Sequence, residues 1–467
     1  MTSRIVQFGK LVGAWILPAY LALGLLFGGS SREGVLANGA LQVLGALILL
    51  WCALDPRLPG PDQRARWLQA AAGIFAIYIL FQLVPLPPGI WTMLPGREFV
   101  VDGIGAFGRQ NLPAMPLSLA PQETLDGLLR FLPPLAVFVL TYKTASRRAD
   151  GRMLIVIVAA AVASSLIGWV QIFDGRESPL YFWGVTNRGS PVGLMANANH
   201  QAMLLNAALP FCMAHLSQLK VHSDMGDADA GQFLLASFAA LLLVIGVLIA
   251  GSLAGYILFG LIAALSFLMY RGRKVRLRDG LVGLGLALGV AGLGWWLASS
   301  PILPALGVTS LSDSELGRPN TWRLTLSAAA DYFPFGSGLG TFERLIPMYE
   351  DPATVTGTFL NHAHNDYLEV WLELGLVGAF LILLALVTFA RLSLIAWKSE
   401  SGESGRMKKA ASIAAGAIFL HSIVDYPLRT ETIAMLAAFA IGRLATHSAR
   451  RLRKPASGTP PASHVVI

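Results

Sequence analysis

Asn361-His-Ala-His-Asn-Asp-Tyr-Leu-Glu-Val-Trp-Leu-Glu-Leu-Gly375 runs directly into the apolar segment Leu376 to Ala390, and this junction decides how the chain is read. The apolar segment is too hydrophobic for a soluble surface helix, so the residues before it lie at the mouth of a transmembrane helix. Ionisable groups at such a boundary need a reason, and by default they mark a functional site. Two histidines and a set of carboxylates are gathered here.

The rest of the chain supports a membrane reading. Its 467 residues are 55% hydrophobic and 13% charged, with mean hydropathy +0.60. That composition predicts an all-α, polytopic bundle of transmembrane helices. About twelve segments approach the roughly 20 apolar residues needed to cross the hydrocarbon core. They are Leu11–Phe27, Val35–Leu54, Trp67–Leu86, Leu128–Tyr142, Met153–Phe173, Gln201–Leu219, Phe233–Ala250, Leu253–Tyr270, Leu281–Ala298, Tyr367–Ala390, Ala410–Tyr426 and Glu431–Ala445. The first is read as a retained helix, because no small-residue cleavage site follows it.

Basic residues mark alternate loops: Arg57, Arg64 and Arg66, then Lys143, Arg147, Arg148 and Arg152, then Arg271 to Arg278, then Arg391 to Lys409, and finally Arg450 to Lys454. The positive-inside rule places these loops and both termini in the cytoplasm, and the polar segments between them on the outer face. The net charge of +8 is then a topological bias, and nucleic-acid binding is not expected. Cys52 and Cys212 each fall inside a span, so no disulfide framework or metal site is expected from them.

This topology divides the chain into N-terminal spans (1–180), a core (181–428) with a large periplasmic loop (299–366), a last span (429–446) and a basic tail (447–467). The outer segment LPLPPGIWTMLPG reads as irregular structure on the membrane with Trp91 as an interfacial anchor. In the large loop, Trp322, Leu324, Leu326, Ala329, Tyr332 and Phe333 suggest an amphipathic helix, and Pro334, Gly336, Gly338 and Gly340 a tight turn after it.

His364 is the first catalytic candidate, since an imidazole at the membrane–water boundary can take the proton of a hydroxyl. His362 competes for that role. Around them stand Asn361, Asn365, Asp366, Glu369 and Glu373, the last three forming a carboxylate stripe on one helical face. Arg318 and Arg323 could grip an anion, as could Arg188, since guanidinium forks match phosphate oxygens. Asn197, Asn199 and His200 could meet sugar hydroxyls or simply form a turn and helix start. His421 and Asp425 stand four apart, either orienting a site or satisfying each other. No Walker A sequence is present, and Asp227 to Asp229 lie on the cytoplasmic side.

These residues resemble the bacterial O-antigen ligase and polymerase-like glycosyltransferases over roughly Tyr181 to Leu428. The best match is His364-Asn365, nine residues, then Gly375-Leu-Val-Gly378, where the ligase pattern ends in threonine instead of Gly378. GRPNTWRLTLSAAADYFPFGSGLGTF resembles the family's block before the histidine and aligns its loop arginine with Arg318. LMANANHQA and HSIVDYPLR resemble two further family elements. Many relatives carry an arginine at the position of Leu253, so Arg188 or Arg323 would have to substitute, if any residue does.

The resemblance implies transfer of a glycan from an undecaprenyl-diphosphate carrier to an acceptor hydroxyl at the periplasmic face of the inner membrane, without cofactor or metal. The acceptor would be lipid A-core for a ligase, the growing polysaccharide for a polymerase, or a protein hydroxyl for an oligosaccharyltransferase. His364 and Arg318 would be catalytic. Arg188, Arg323, His362, Asn365, Glu369, Asn199, His421 and Asp425 would shape substrate binding. Membrane lipids and other polysaccharide-assembly proteins are the expected partners, and a glycan transporter or flippase is the alternative reading.

Overall fold

The computed structural model describes residues 2–32, 35–56, 58, 60, 63–108, 111–144, 147–221, 227–271, 277–300, 312–353, 360–399 and 402–446. The basic tail 447–467 and residues 222–226 of the acidic connection expected over Lys220–Gln232 lie outside the described residues, and Asp227 and Asp229 of that connection belong to a helix instead of a loop. Long helices dominate: α1 (Thr2–Phe27), α2 (Leu36–Leu54), α3 (Gln63–Gln82), then the short α4 (Pro88–Trp91) and α5 (Glu98–Ala106), α6 (Pro121–Arg130), α7 (Leu132–Lys143) and α8 (Arg147–Asp174). They continue with α9 (Ala198–Val221), α10 (Asp227–Ile249), α11 (Leu253–Arg271), α12 (Leu277–Ser299), α13 (Ser312–Asp331), α14 (Phe342–Leu345), α15 (Asp366–Ser399), α16 (Gly402–His421) and α17 (Glu431–Ala445).

All twelve expected spans are largely helical, but among the described residues eight helical segments are long and apolar enough to cross a membrane. The expectation of twelve is therefore carried only to eight. Two of the others fall short for local reasons. Helix α17 has 15 residues, and α16 carries Glu403, Arg406, Lys408 and Lys409 within its 20.

Helix α9 is the axle of the bundle. Residues 201–212 of it are buried all round, and its interior polar groups are paired, Ser164 donating to Gln201 at 2.6 Å and Asn206 to the Gly255 carbonyl at 3.0 Å. In α9 78% of the membrane window is buried, against 20% for the peripheral α12. Helices α8, α10, α11 and α16 pack around it. Small residues permit the close crossings: Gly255 of α11 lies against Ala202 of α9, and Gly246 of α10 against Ser165 of α8.

Over one end of this bundle lies a second, smaller core, made by Ala328, Ala329, Tyr332, Phe342, Leu345, Ile346, Ala363 and Leu372. It corrects two expectations. Helix α13 forms, but its buried side is Thr321, Thr325, Ala328 and Ala329, whereas Leu326 and Phe333 are exposed. Trp91 is not an interfacial anchor, because it is 1% exposed and donates its indole N–H to the Pro113 carbonyl at 3.0 Å. The same outer segment also contains a two-stranded antiparallel ribbon, β1 (Pro85–Leu86) and β2 (Met115–Pro116), which an all-α reading omits.

Helix α15 is broken at Gly375 (φ 54°, ψ −136°). A carbonyl freed by such a break must find a partner, and the turn expected from Pro334 to Gly340 supplies it. Ser337 N–H and Gly338 N–H donate to the carbonyls of Leu372 and Glu373, both at 3.0 Å, and Leu376 N–H donates to Pro334 at 2.9 Å. Gln82 of α3 also donates to the Glu373 carbonyl at 3.1 Å. A methyl group on Gly375 would sit 2.1 Å from the Pro334 oxygen. Gly375→Ala is thus expected to destabilise the protein by at least about 1–3 kcal/mol from backbone strain alone. Gly73→Ala, on α3 with nothing near its Cβ, should stabilise it by about 0.4–1 kcal/mol. Thermal unfolding of the two purified variants checks the contrast, and equal melting temperatures would remove the argument.

Candidate functional site

Three pieces of chain converge where the two cores meet: the segment 360–366 leading into α15, the connection 422–430 between α16 and α17, and the start of α9. Backbone bonds hold them together. Asp366 N–H donates to the carbonyls of Ser422 (3.0 Å) and Asp425 (3.3 Å). Asn365 caps α15, its side-chain oxygen accepting from the N–H groups of Tyr367 and Leu368 at 3.0 Å each. That is a structural task for a residue first considered for substrate binding.

Asp425 is the hub. It is fully buried, and four cationic or imidazole side chains surround it: His364 Nδ1 at 3.3 Å, Arg318 Nη2 at 3.7 Å, and His200 Nε2 and His421 Nε2 at 3.9 Å each. Asn199 donates to its Oδ2 at 2.7 Å and Tyr426 N–H to its Oδ1 at 2.8 Å. Burial alone would raise the pKa of this carboxyl group. The approach of His364 and the fields of His200 and His421 outweigh that and hold it well below the usual carboxylate range.

His364 combines this partner with an unusual backbone. Its φ of 49° makes it, among the described residues, the one non-glycine in the left-handed region, a conformation found disproportionately at functional sites. Trp322 of α13 donates its indole N–H to the His364 carbonyl at 3.3 Å, which helps to fix it.

His362 belongs to a second pair. Its Nδ1 is 2.9 Å from Glu369 Oε1, and Ala363 N–H donates to the other Glu369 oxygen at 2.9 Å. The Tyr426 ring lies between the histidines, with centroid distances of 4.2 Å to His362, 4.9 Å to His364 and 5.0 Å to His200.

Arg429 was not singled out from the sequence, yet it organises the carboxylate stripe. It reaches Glu373 at 2.8 Å, Glu369 at 3.4 Å and Asp366 at 3.8 Å. The available signal was the spacing of Asp366, Glu369 and Glu373, since three carboxylates on one buried face call for a cation. Tyr426 was also missed; it sits in the quoted HSIVDYPLR directly after Asp425.

His362, His364, Glu369, Tyr426, Arg429, Asn199 and Arg188 all line one cavity of about 1610 Å³. Small-molecule pockets hold roughly 300–1,000 Å³, so this one has room for a longer chain. One wall is apolar, with Val370, Leu374, Leu381, Ile382 and Ala385 of α15.

The expected arginines separate. Arg318 is 8% exposed and stands behind Asp425, outside the cavity lining. Arg323 is turned to solvent, donating to Asn320 at 3.1 Å, and does not line the cavity either. The two are five residues apart on α13, about 140° around the helix, so they cannot share a face. Arg188 lines the cavity and lies over the Tyr181 ring at 5.6 Å. His421 is fully buried and reaches the site only through Asp425.

Residues 238–383 match the family model described as O-antigen ligase, under a third of the chain. The matched region contains Arg318, His362, His364 and Glu369, whereas Arg188, Asn199, His421, Asp425 and Arg429 lie outside it. No curated protein matches the chain.

Proposed function

We propose that this O-antigen ligase-like, multi-pass membrane protein transfers a glycan from a polyisoprenyl-diphosphate carrier, undecaprenyl diphosphate in bacteria, to an acceptor hydroxyl at the periplasmic side of the inner membrane. The observation that carries the reading is His364. One ring nitrogen lies on the buried Asp425, the ring lines the cavity, and that cavity has an apolar wall for a lipid.

The chemistry follows from this pairing. His364 takes the acceptor proton as the acceptor oxygen attacks the anomeric carbon. The bond from that carbon to the diphosphate oxygen breaks, and the electron pair leaves with the diphosphate. Asp425 stabilises the imidazolium formed on His364, as carboxylates do in other histidine pairs. Arg318, His200 and His421 hold Asp425 rather than touch substrate. Arginines lining the cavity stabilise the charge on the leaving diphosphate, the task a metal ion performs elsewhere. Attack from the face opposite the diphosphate inverts the anomeric centre. Asn199 and His362 border the acceptor side.

The test is a deletion of the gene in its host, with lipopolysaccharide and exopolysaccharide resolved on gels. Long glycans that are lost on deletion, restored by the wild-type gene and found stranded on the carrier in its absence indicate a ligase. Carrier-linked single repeats indicate a polymerase. If carrier-linked glycan instead builds up on the cytoplasmic side, transfer is not the defect and the flippase reading takes its place.

A further inference from the structure

Arg318 and Arg323 lie off the cavity wall. Something else must meet the diphosphate. Besides Arg188 and the three-carboxylate-bound Arg429, the cavity is lined by Arg32, Arg130 and Arg176. Arg176 stays with Arg188, which donates to its carbonyl at 3.1 Å, amid the polar residues Asn187, Asn197 and Asn199. Arg130 and Arg32 are set elsewhere. Arg130 donates to the Ser31 carbonyl at 2.7 Å, which brings it beside Arg32.

This corner opens onto the apolar wall. Below Arg130 in sequence come Phe131 and Pro134, and beyond Glu431 comes Ala434, all lining the cavity. Phe131 meets Phe75 of α3 with centroids 4.7 Å apart. Gly127, one turn before Arg130, lies against Leu339, which packs with Ile79 and Leu374. On α15 the lining continues through Gly378, Leu381, Ile382 and Ala385. The same cavity thus holds Arg32, Arg130 and Glu431 beside a run of apolar lining residues. A polyisoprenoid laid along that wall would place its diphosphate at the corner.

Resting on the transferase reading, we infer that Arg32 and Arg130 bind the diphosphate of the lipid carrier. The neighbouring carboxylates are accounted for. Asp126 lies 3.4 Å from Arg130, Glu123 pairs with Arg344 at 2.7 Å, and Glu431 is buried in the field of Arg130 beside the Gln42 side chain. Asp126 and Glu431 are then the groups in the corner that oppose a dianion.

The experiment is binding of undecaprenyl diphosphate to the full chain in nanodiscs, with inorganic pyrophosphate and phosphatidylglycerol as competitors. Arg32→Ala and Arg130→Ala should each weaken the carrier at least tenfold. Arg188→Ala should weaken it less than either, Arg323→Ala, off the cavity wall, should change it less than twofold, and Glu431→Gln should bind at least as tightly as wild type. Arg130→Lys, which keeps the charge, should recover part of the loss and shows that the site has folded. Stronger loss in Arg188→Ala, weakened binding in Glu431→Gln, or equal competition by phosphatidylglycerol would overturn the assignment while leaving the transferase standing. A wild-type protein that ignores the carrier would overturn the transferase itself.

Discussion

Replacing His364 with alanine is expected to lower glycan transfer by about 10²–10⁴-fold, the usual contribution of a positioned general base. Its side chain is 17% exposed on the cavity wall, so the variant should fold. Asp425→Asn should fall into the same range by another route. The amide removes the charge that fixes the imidazole and stabilises its protonated form, and it leaves His200, His421 and Arg318 facing a neutral group. Residues acting as one unit lose activity together rather than additively, so the double variant should be no worse than either single one. A double variant whose rate is the product of the two single losses would separate them.

The pH dependence of Asp425→Asn follows from the direction of its shift. The folded-state pKa lies below the ordinary value near 3.9. The stabilisation from ionised Asp425 is therefore fully present above about pH 4 and is lost only as pH falls through the lower folded value. Between pH 5 and 8 Asp425 stays charged, so the stability difference between wild type and Asp425→Asn that arises from its ionisation should be constant over that interval, as thermal unfolding at several pH values would check. A stability difference that vanishes near pH 5 would show that Asp425 takes up its proton there. His362→Ala should cost less than His364→Ala, and the reverse order would transfer the base to His362 and Glu369.

Arg429→Met is the second large effect. The guanidinium faces three carboxylates, of which Glu369 and Glu373 are almost wholly buried. Removing the cation leaves a charge cluster without its counter-ion, which costs about 3–5 kcal/mol at a buried pair. The variant should unfold at a markedly lower temperature in detergent and lose transfer. Arg429→Lys should be intermediate, because an ammonium keeps the charge but not the fork that reaches three partners. The additional change Glu373→Leu should recover stability in Arg429→Met. An unaltered melting temperature in Arg429→Met would mean that the carboxylates do not depend on it.

Eight spans, the loop helix and the gathering of the two histidines with carboxylates were legible because each depends on local sequence: apolar run length, turn residues, and polar groups against hydrocarbon. The stripe Asp366, Glu369 and Glu373 was read correctly from helical spacing. What distance hides was missed. Arg429 lies 63 residues after Asp366 in the chain, and nothing local to it announces three partners. Arg318 and Arg323 were paired because they are neighbours in sequence, although helical rotation separates them. Trp91 looked like an anchor because tryptophan favours interfaces, and only the fold shows Pro113 waiting for its N–H. The buried face of α13 is threonine and alanine, residues that carry little hydropathy signal.

The broken helix ties three separate segments into one joint. The carbonyl of Glu373 accepts from Gln82, 291 residues upstream, and from Gly338 in the preceding loop. An open carbonyl is costly in lipid, so the break at Gly375 is stable only while both partners are docked. The outer loop and α3 are thereby clamped to the helix whose start follows His364, and a change that loosens Gln82 or the turn at Gly338 should be felt at that histidine although neither residue touches it.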